Sequence, residues 1–84
     1  MADSAVRLTL YSRRYCHLCQ EMLAALGLLR DEVSFAVEVI DVDSDAGLVR
    51  RFDELVPVLM HGERELSRHR LDVPGLRAYL AKIG

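Results

Sequence analysis

The sequence predicts an α/β domain, a four-stranded mixed sheet flanked by helices in the order β-α-β-α-β-β-α. Three observations predict it. An alternating apolar run, Val6 to Tyr11, gives way at Cys16 to a helical pattern. A β-branched run, Phe35 to Val42, follows at the distance of a crossover connection. Val56-Pro57-Val58 then opens a strand-turn-strand segment that ends in a capped helix. Eighty-four residues make one domain, residues 1–84, and so short a chain must bury a large share of its apolar side chains to stay folded. A hydrophobic content of 51% suits that demand.

In the first strand Val6, Leu8 and Leu10 alternate with Arg7, Thr9 and Tyr11, the period of two of a pleated strand. From His17 the apolar residues Leu18, Met22, Leu26 and Leu29 recur every three or four positions, so the first helix runs to the neighbourhood of Arg30. Gly27 inside it costs about 1 kcal/mol against alanine, and close packing on the sheet is the expected reason for its presence. Phe35 to Val42 is mostly apolar on both faces, as for an interior parallel strand, and strand-helix-strand implies a right-handed crossover. Asp43-Ser44-Asp45 places capping side chains and negative charge ahead of Leu48, Val49 and Phe52, so a short second helix starts there. Pro57 cannot donate to a sheet ladder and belongs at the entrance of a strand over Val56–Met60. His61-Gly62-Glu63 is a turn, Arg64 to Ser67 a fourth strand antiparallel to the third, and Arg68 to Leu71 a loop. Asp72 caps the last helix, Pro74 sits in its first turn where a missing N–H does no harm, and Val73, Leu76, Leu80 and Ile83 form its apolar stripe.

Both cysteines lie where the first strand becomes the first helix. Residues three apart in a helical turn share a face, within the Cα separation of about 4.4 to 6.8 Å that a disulfide requires. The first N–H groups of a helix lack partners and carry partial positive charge, which favours a sulfur at the N-cap as thiolate. Cys16 is therefore predicted to be reactive, and Cys19, one turn further in, more covered and less acidic. The pair divides into attacker and resolver. Two other uses stay open: small core residues, or half of a zinc or iron–sulfur site shared between two chains. There is no second cysteine pair, and His17, His61 and His69 lack the spacing that would complete a finger, so no metal is expected within one chain.

A formal charge of -2 with mixed signs argues against nucleic acid as a partner. No span of about twenty apolar residues suggests a membrane segment. Asp3 stands where a secretory leader needs positive charge, and the expected location is the cytoplasm. In that reducing compartment two cysteines at this spacing are expected to be catalytic rather than a permanent staple.

The element order, together with Leu10-Tyr11-Ser12-Arg13, Cys16-His17-Leu18-Cys19, Val39-Ile40-Asp41-Val42-Asp43 and Val56-Pro57-Val58-Leu59, resembles the thioredoxin fold in its short, glutaredoxin-like form over nearly the whole chain. More narrowly, the sequence is similar to small bacterial glutaredoxin-like proteins with C-x-L-C. The resemblance implies a thiol-disulfide oxidoreductase with Cys16 as nucleophile, Cys19 as resolving thiol and Pro57 as a cis-proline facing them. The backbone of Val56 would pair with an extended substrate or glutathione. By the same resemblance Arg13 contacts a glutathione carboxylate, and Asp72 stands in for the acidic residue before the last helix.

Two departures from that pattern bear on function. His17 replaces the usual proline after the first cysteine and Leu18 the usual aromatic, and a protonated imidazole beside Cys16 would lower the thiol pKa. Arg68-His69-Arg70-Leu71 replaces a Gly-Gly turn that lets backbone N–H groups approach glutathione. No tightly bound cofactor is expected. Glutathione is a candidate co-substrate, but the missing glycines favour a protein dithiol, of the thioredoxin-reductase type, as electron donor. The implied substrates are protein or small-molecule disulfides. The alternative is a non-catalytic binding module, or a dimer holding metal or an iron–sulfur cluster on the same fold.

Overall fold

A computed structural model describes residues 6–83 of the chain. Met1–Ala5, on which the expectation of no secretory leader rests, lie outside the described residues. The elements are β1 (Val6–Ser12), α1 (His17–Arg30), β2 (Phe35–Asp41), a 3-10 turn (Val42–Ser44), α2 (Ala46–Phe52), a second 3-10 turn (Asp53–Leu55), β3 (Val58–His61), β4 (Arg64–Arg68) and α3 (Val73–Ile83). The four strands form one mixed sheet in the order β2-β1-β3-β4. β1 and β2 are parallel, with Val6 opposite Phe35 and Ser12 opposite Asp41. β3 runs antiparallel to β1, with Tyr11 opposite Val58, and β4 antiparallel to β3 with a register shift between Leu59 and Met60.

Because side chains alternate across a strand, the sheet buries two separate apolar faces. On one, Leu8, Leu10 and Leu59 pack with Met22, Leu26 and Leu29 of α1 and with Leu76 and Leu80 of α3. On the other, Val58 and Met60 pack with Val42 and Phe52, and Tyr11 stacks on Phe52 with ring centroids 4.3 Å apart. Each fully buried leucine or methionine contributes about 1.5–3 kcal/mol. Truncating Leu26, which is wholly buried at the centre of α1, would remove about 2–5 kcal/mol through the cavity left behind.

Four expectations are corrected. β2 is an edge strand, not an interior one: β3 joins the opposite side of β1, so β1 is its sole partner in the sheet, and Val39 is 48% exposed. Gly27 does not pack closely on the sheet; it lies on the exposed side of α1, and a Cβ there would meet nothing within 4 Å. β3 pairs only from Val58, so Val56 and Pro57 precede it, and Ile83 is 40% exposed, outside the buried stripe of α3. Among the described residues no helix is long and apolar enough to cross a membrane.

Candidate active site

The chain leaves β1 at Ser12 and turns through Arg13, Arg14 and Tyr15 before α1 begins. Tyr15 adopts φ 56°, in the left-handed region, and is 98% exposed. Cys16 then takes an extended conformation as the N-cap of α1, where its Sγ accepts the N–H of Cys19 at 3.1 Å. The two sulfurs are joined in a disulfide with a Cα separation of 5.2 Å. Cover differs between them: Cys16 is half-buried, whereas Cys19 faces the core and is 5% exposed. An orphan N–H of the first helical turn is thus aimed at the more accessible sulfur. That arrangement stabilises negative charge on Cys16 when the bond is opened.

The antiparallel register brings the start of β3 to the end of the sheet from which β1 delivers Cys16. Val56 and Pro57 lie immediately ahead of that start, Pro57 is buried, and the bond between them is cis. Two residues, Arg13 and His69, hydrogen-bond to the chain around this segment. Arg13 donates from Nε to Asp43 Oδ2 at 3.0 Å, from Nη1 to the Asp53 carbonyl at 3.2 Å and from Nη2 to Asp53 Oδ1 at 3.2 Å. Those hydrogen bonds, first to Asp43 and then to Asp53, raise the Arg13 pKa above its already high ordinary value. From the other side, the His69 N–H donates to the Pro57 carbonyl at 2.8 Å, and its Nε2 lies 3.1 Å from the Glu54 carbonyl.

The remaining residues singled out from the sequence fall as follows. Arg13 is engaged by two carboxylates of its own chain, so a ligand carboxylate would compete with Asp43 and Asp53. Asp72 caps α3, its Oδ1 accepting the Gly75 N–H at 3.0 Å, while its own N–H donates to the buried Ser67 hydroxyl at 3.2 Å. His17 is exposed, with Nε2 2.7 Å from Glu21 Oε2 one turn along the helix. Sequence reasoning missed the part played by His69. It sits at φ 66°, which nothing in a non-glycine residue advertises, and ties the loop before α3 to Pro57. Among the described residues no cluster of three or more histidine, cysteine or acidic side chains is placed to hold a metal.

A mixed four-stranded sheet, helices on both faces and a C-x-x-C pair capping the first helix define a thioredoxin-like protein of the α/β class. Solved structures agree. A protein from Nitrosomonas europaea, Ne2328, is 36% identical with a TM-score of 0.81, covering 95% of this chain and 96% of that one. XcR50 from X. campestris is 38% identical with a TM-score of 0.73, covering 89% and 96%. The Drosophila germline-specific thioredoxin Deadhead is 25% identical with a TM-score of 0.61, covering 98% and 84%. No curated protein matches the chain. The glutaredoxin-like domain family (DUF836) matches residues 7–81, and the chain belongs to that family.

Proposed function

We propose that this protein is a thiol-disulfide oxidoreductase in which Cys16 attacks and Cys19 resolves. The observation that carries the reading is the Cys16–Cys19 pair at the start of α1, with the outer sulfur accepting an orphan helical N–H. In the reduced protein the Cys16 thiolate attacks one sulfur of a substrate disulfide, forms a mixed disulfide and expels the other sulfur as a thiolate that takes up a proton. Cys19, deprotonated, then attacks Cys16 Sγ and releases the second substrate thiol. Two electrons have passed to the substrate, and the protein carries the Cys16–Cys19 disulfide seen here. The backbone of Val56, half-buried ahead of β3 and outside its ladder, is the edge against which an extended substrate pairs.

The electron donor we assign is a protein dithiol of the thioredoxin-reductase type, in the cytoplasm. Glutathione needs several fixed contacts to repay the freedom it loses on binding. Here Arg13 is held by Asp43 and Asp53, the carboxylate of Asp72 caps α3, and the loop before α3 has no glycine. The test is steady-state reduction of a small disulfide with thioredoxin reductase and NADPH, beside glutathione with glutathione reductase. Turnover is expected with the first and not the second. Absence of turnover with either overturns the oxidoreductase reading; saturable turnover on glutathione alone overturns only the donor.

A further inference from the structure

We propose that the outer edge of β2 pairs with the same edge of a second copy of this chain, antiparallel and centred on Val37, to give a two-fold dimer with one continuous sheet. The two edges of the sheet differ. β4 carries Arg64, Glu65 and Arg68 and pairs with β3 through a register shift, and such charges and irregularities keep an edge from pairing further. β2 has neither protection. It runs in unbroken register along β1, and Glu38 is the one charged residue between Phe35 and Ile40. Among the described residues no strand pairs with its outer side. Alternate residues of β2 therefore present N–H and C=O groups to a further strand.

The side chains select a second copy as the occupant and fix the register. A two-fold axis through the sheet keeps each face continuous, so Val37 meets the partner's Val37, and Phe35 meets the partner's Val39, on the face that α1 covers. On the opposite face Ala36 meets the partner's Glu38. Arg7 stands beside Ala36 in the β1–β2 register, so Arg7 and the partner's Glu38 flank a small residue at two strand spacings, about 10 Å between Cα atoms, within reach of each other's long side chains. Symmetry forms that ion pair twice. An open depression of about 390 Å³, lined by Arg7, Ala36, Val37 and Glu38, is the space that the partner's Glu38 enters. Centring on Glu38 instead would set two glutamates opposite each other. The helices complete the fit. α3 lies over β3 and β4, where Tyr79 meets His61 and Arg64, and Ala25 of α1 faces α3 across a shared cavity. Leu23, about 160° round the helix from Ala25, is on the flank turned towards β2. It is 45% exposed, as Val39 is 48%. Two copies of α1, each over the β1–β2 pair that it connects, lie about 10 Å apart across the axis, the spacing of packed helices.

This edge lies on the side of β1 away from β3 and Val56, so the dimer leaves the proposed substrate edge uncovered and is independent of the oxidoreductase reading. The test is sedimentation equilibrium of the oxidised full-length protein from micromolar to millimolar concentration. A reversible dimer, twice the 9.5 kDa of one chain, is expected. Val39→Lys puts at an exposed position the residue that most often protects natural edges, and should weaken the dimer by about tenfold or more. Arg7→Glu and Glu38→Arg should each shift the protein towards monomer, because the first sets two glutamates and the second two arginines across Ala36. Mixed in equal amounts, these two variants should form a heterodimer in which both ion pairs are restored, one of them with its signs exchanged. Their association would also show that both are folded. A wild type that stays monomeric throughout, a dimer that Val39→Lys leaves intact, or a mixture no more associated than its components would overturn the proposal.

Discussion

The two helices on one face of the sheet, α1 and α3, begin with the same hydrogen bond made by different atoms. At α1 the Cys16 Sγ accepts the N–H of Cys19 at 3.1 Å; at α3 the Asp72 Oδ1 accepts the N–H of Gly75 at 3.0 Å. Either side chain satisfies one orphan donor of its helix. A carboxylate can do no more than accept that bond. The sulfur can in addition bond covalently to a second sulfur, as it does here, so under the proposed function one helix start is a reaction centre and the other a static cap. Gly75 fits this division, because a Cβ at that position would run into the Asp72 carboxylate. An anionic ligand arriving at α3 must displace Asp72, whereas under the proposed function a disulfide arriving at α1 needs only an open Cys16.

The sharpest way to break this contrast is Cys16→Ser. Serine is a good N-cap, so the melting temperature should stay within about 2 °C of the reduced wild type while disulfide turnover falls by about a thousandfold or more. Retained turnover would show that another group is the nucleophile. Asp72→Ala should do the reverse. Losing the cap costs about 1 kcal/mol, a fall of about 4–8 °C in a domain of this size, while turnover of a small disulfide per folded molecule is unchanged. A large loss of turnover without loss of stability would place Asp72 in the binding site. Gly27→Ala probes the middle of α1, away from its cap. The position is exposed with open space around a Cβ, so alanine should stabilise the protein by about 0.8–1 kcal/mol in a denaturant titration. Destabilisation would reveal a contact at Gly27 that the open surroundings do not suggest.

The sequence announced the fold and the placing of the cysteine pair more clearly than the contacts around that pair, for a physical reason. Strand period, helix period and the Cys16 cap are local properties, and local properties are written in neighbouring residues. The strand order is not local. Phe35 to Val42 carries enough β-branched and apolar residues to read as an interior strand, yet its place at the edge depends on where β3 pairs, which only the assembled sheet decides. Likewise the ion pairs of Arg13 depend on Asp43 and Asp53, thirty and forty residues on, coming to lie against it. His69 at positive φ gave no compositional sign at all.

The alkylation rate of Cys16 against pH, measured in reduced Cys19→Ser protein so that only one thiol reacts, tests the central claim most directly. The claim is that the start of α1 lowers the Cys16 thiol pKa below that of a free thiol. With the Cys19→Ser backbone N–H still in place to meet the sulfur, the rate should level off at an inflection below the ordinary free-thiol value of about 8.5. A rate that keeps rising through that value would contradict the account.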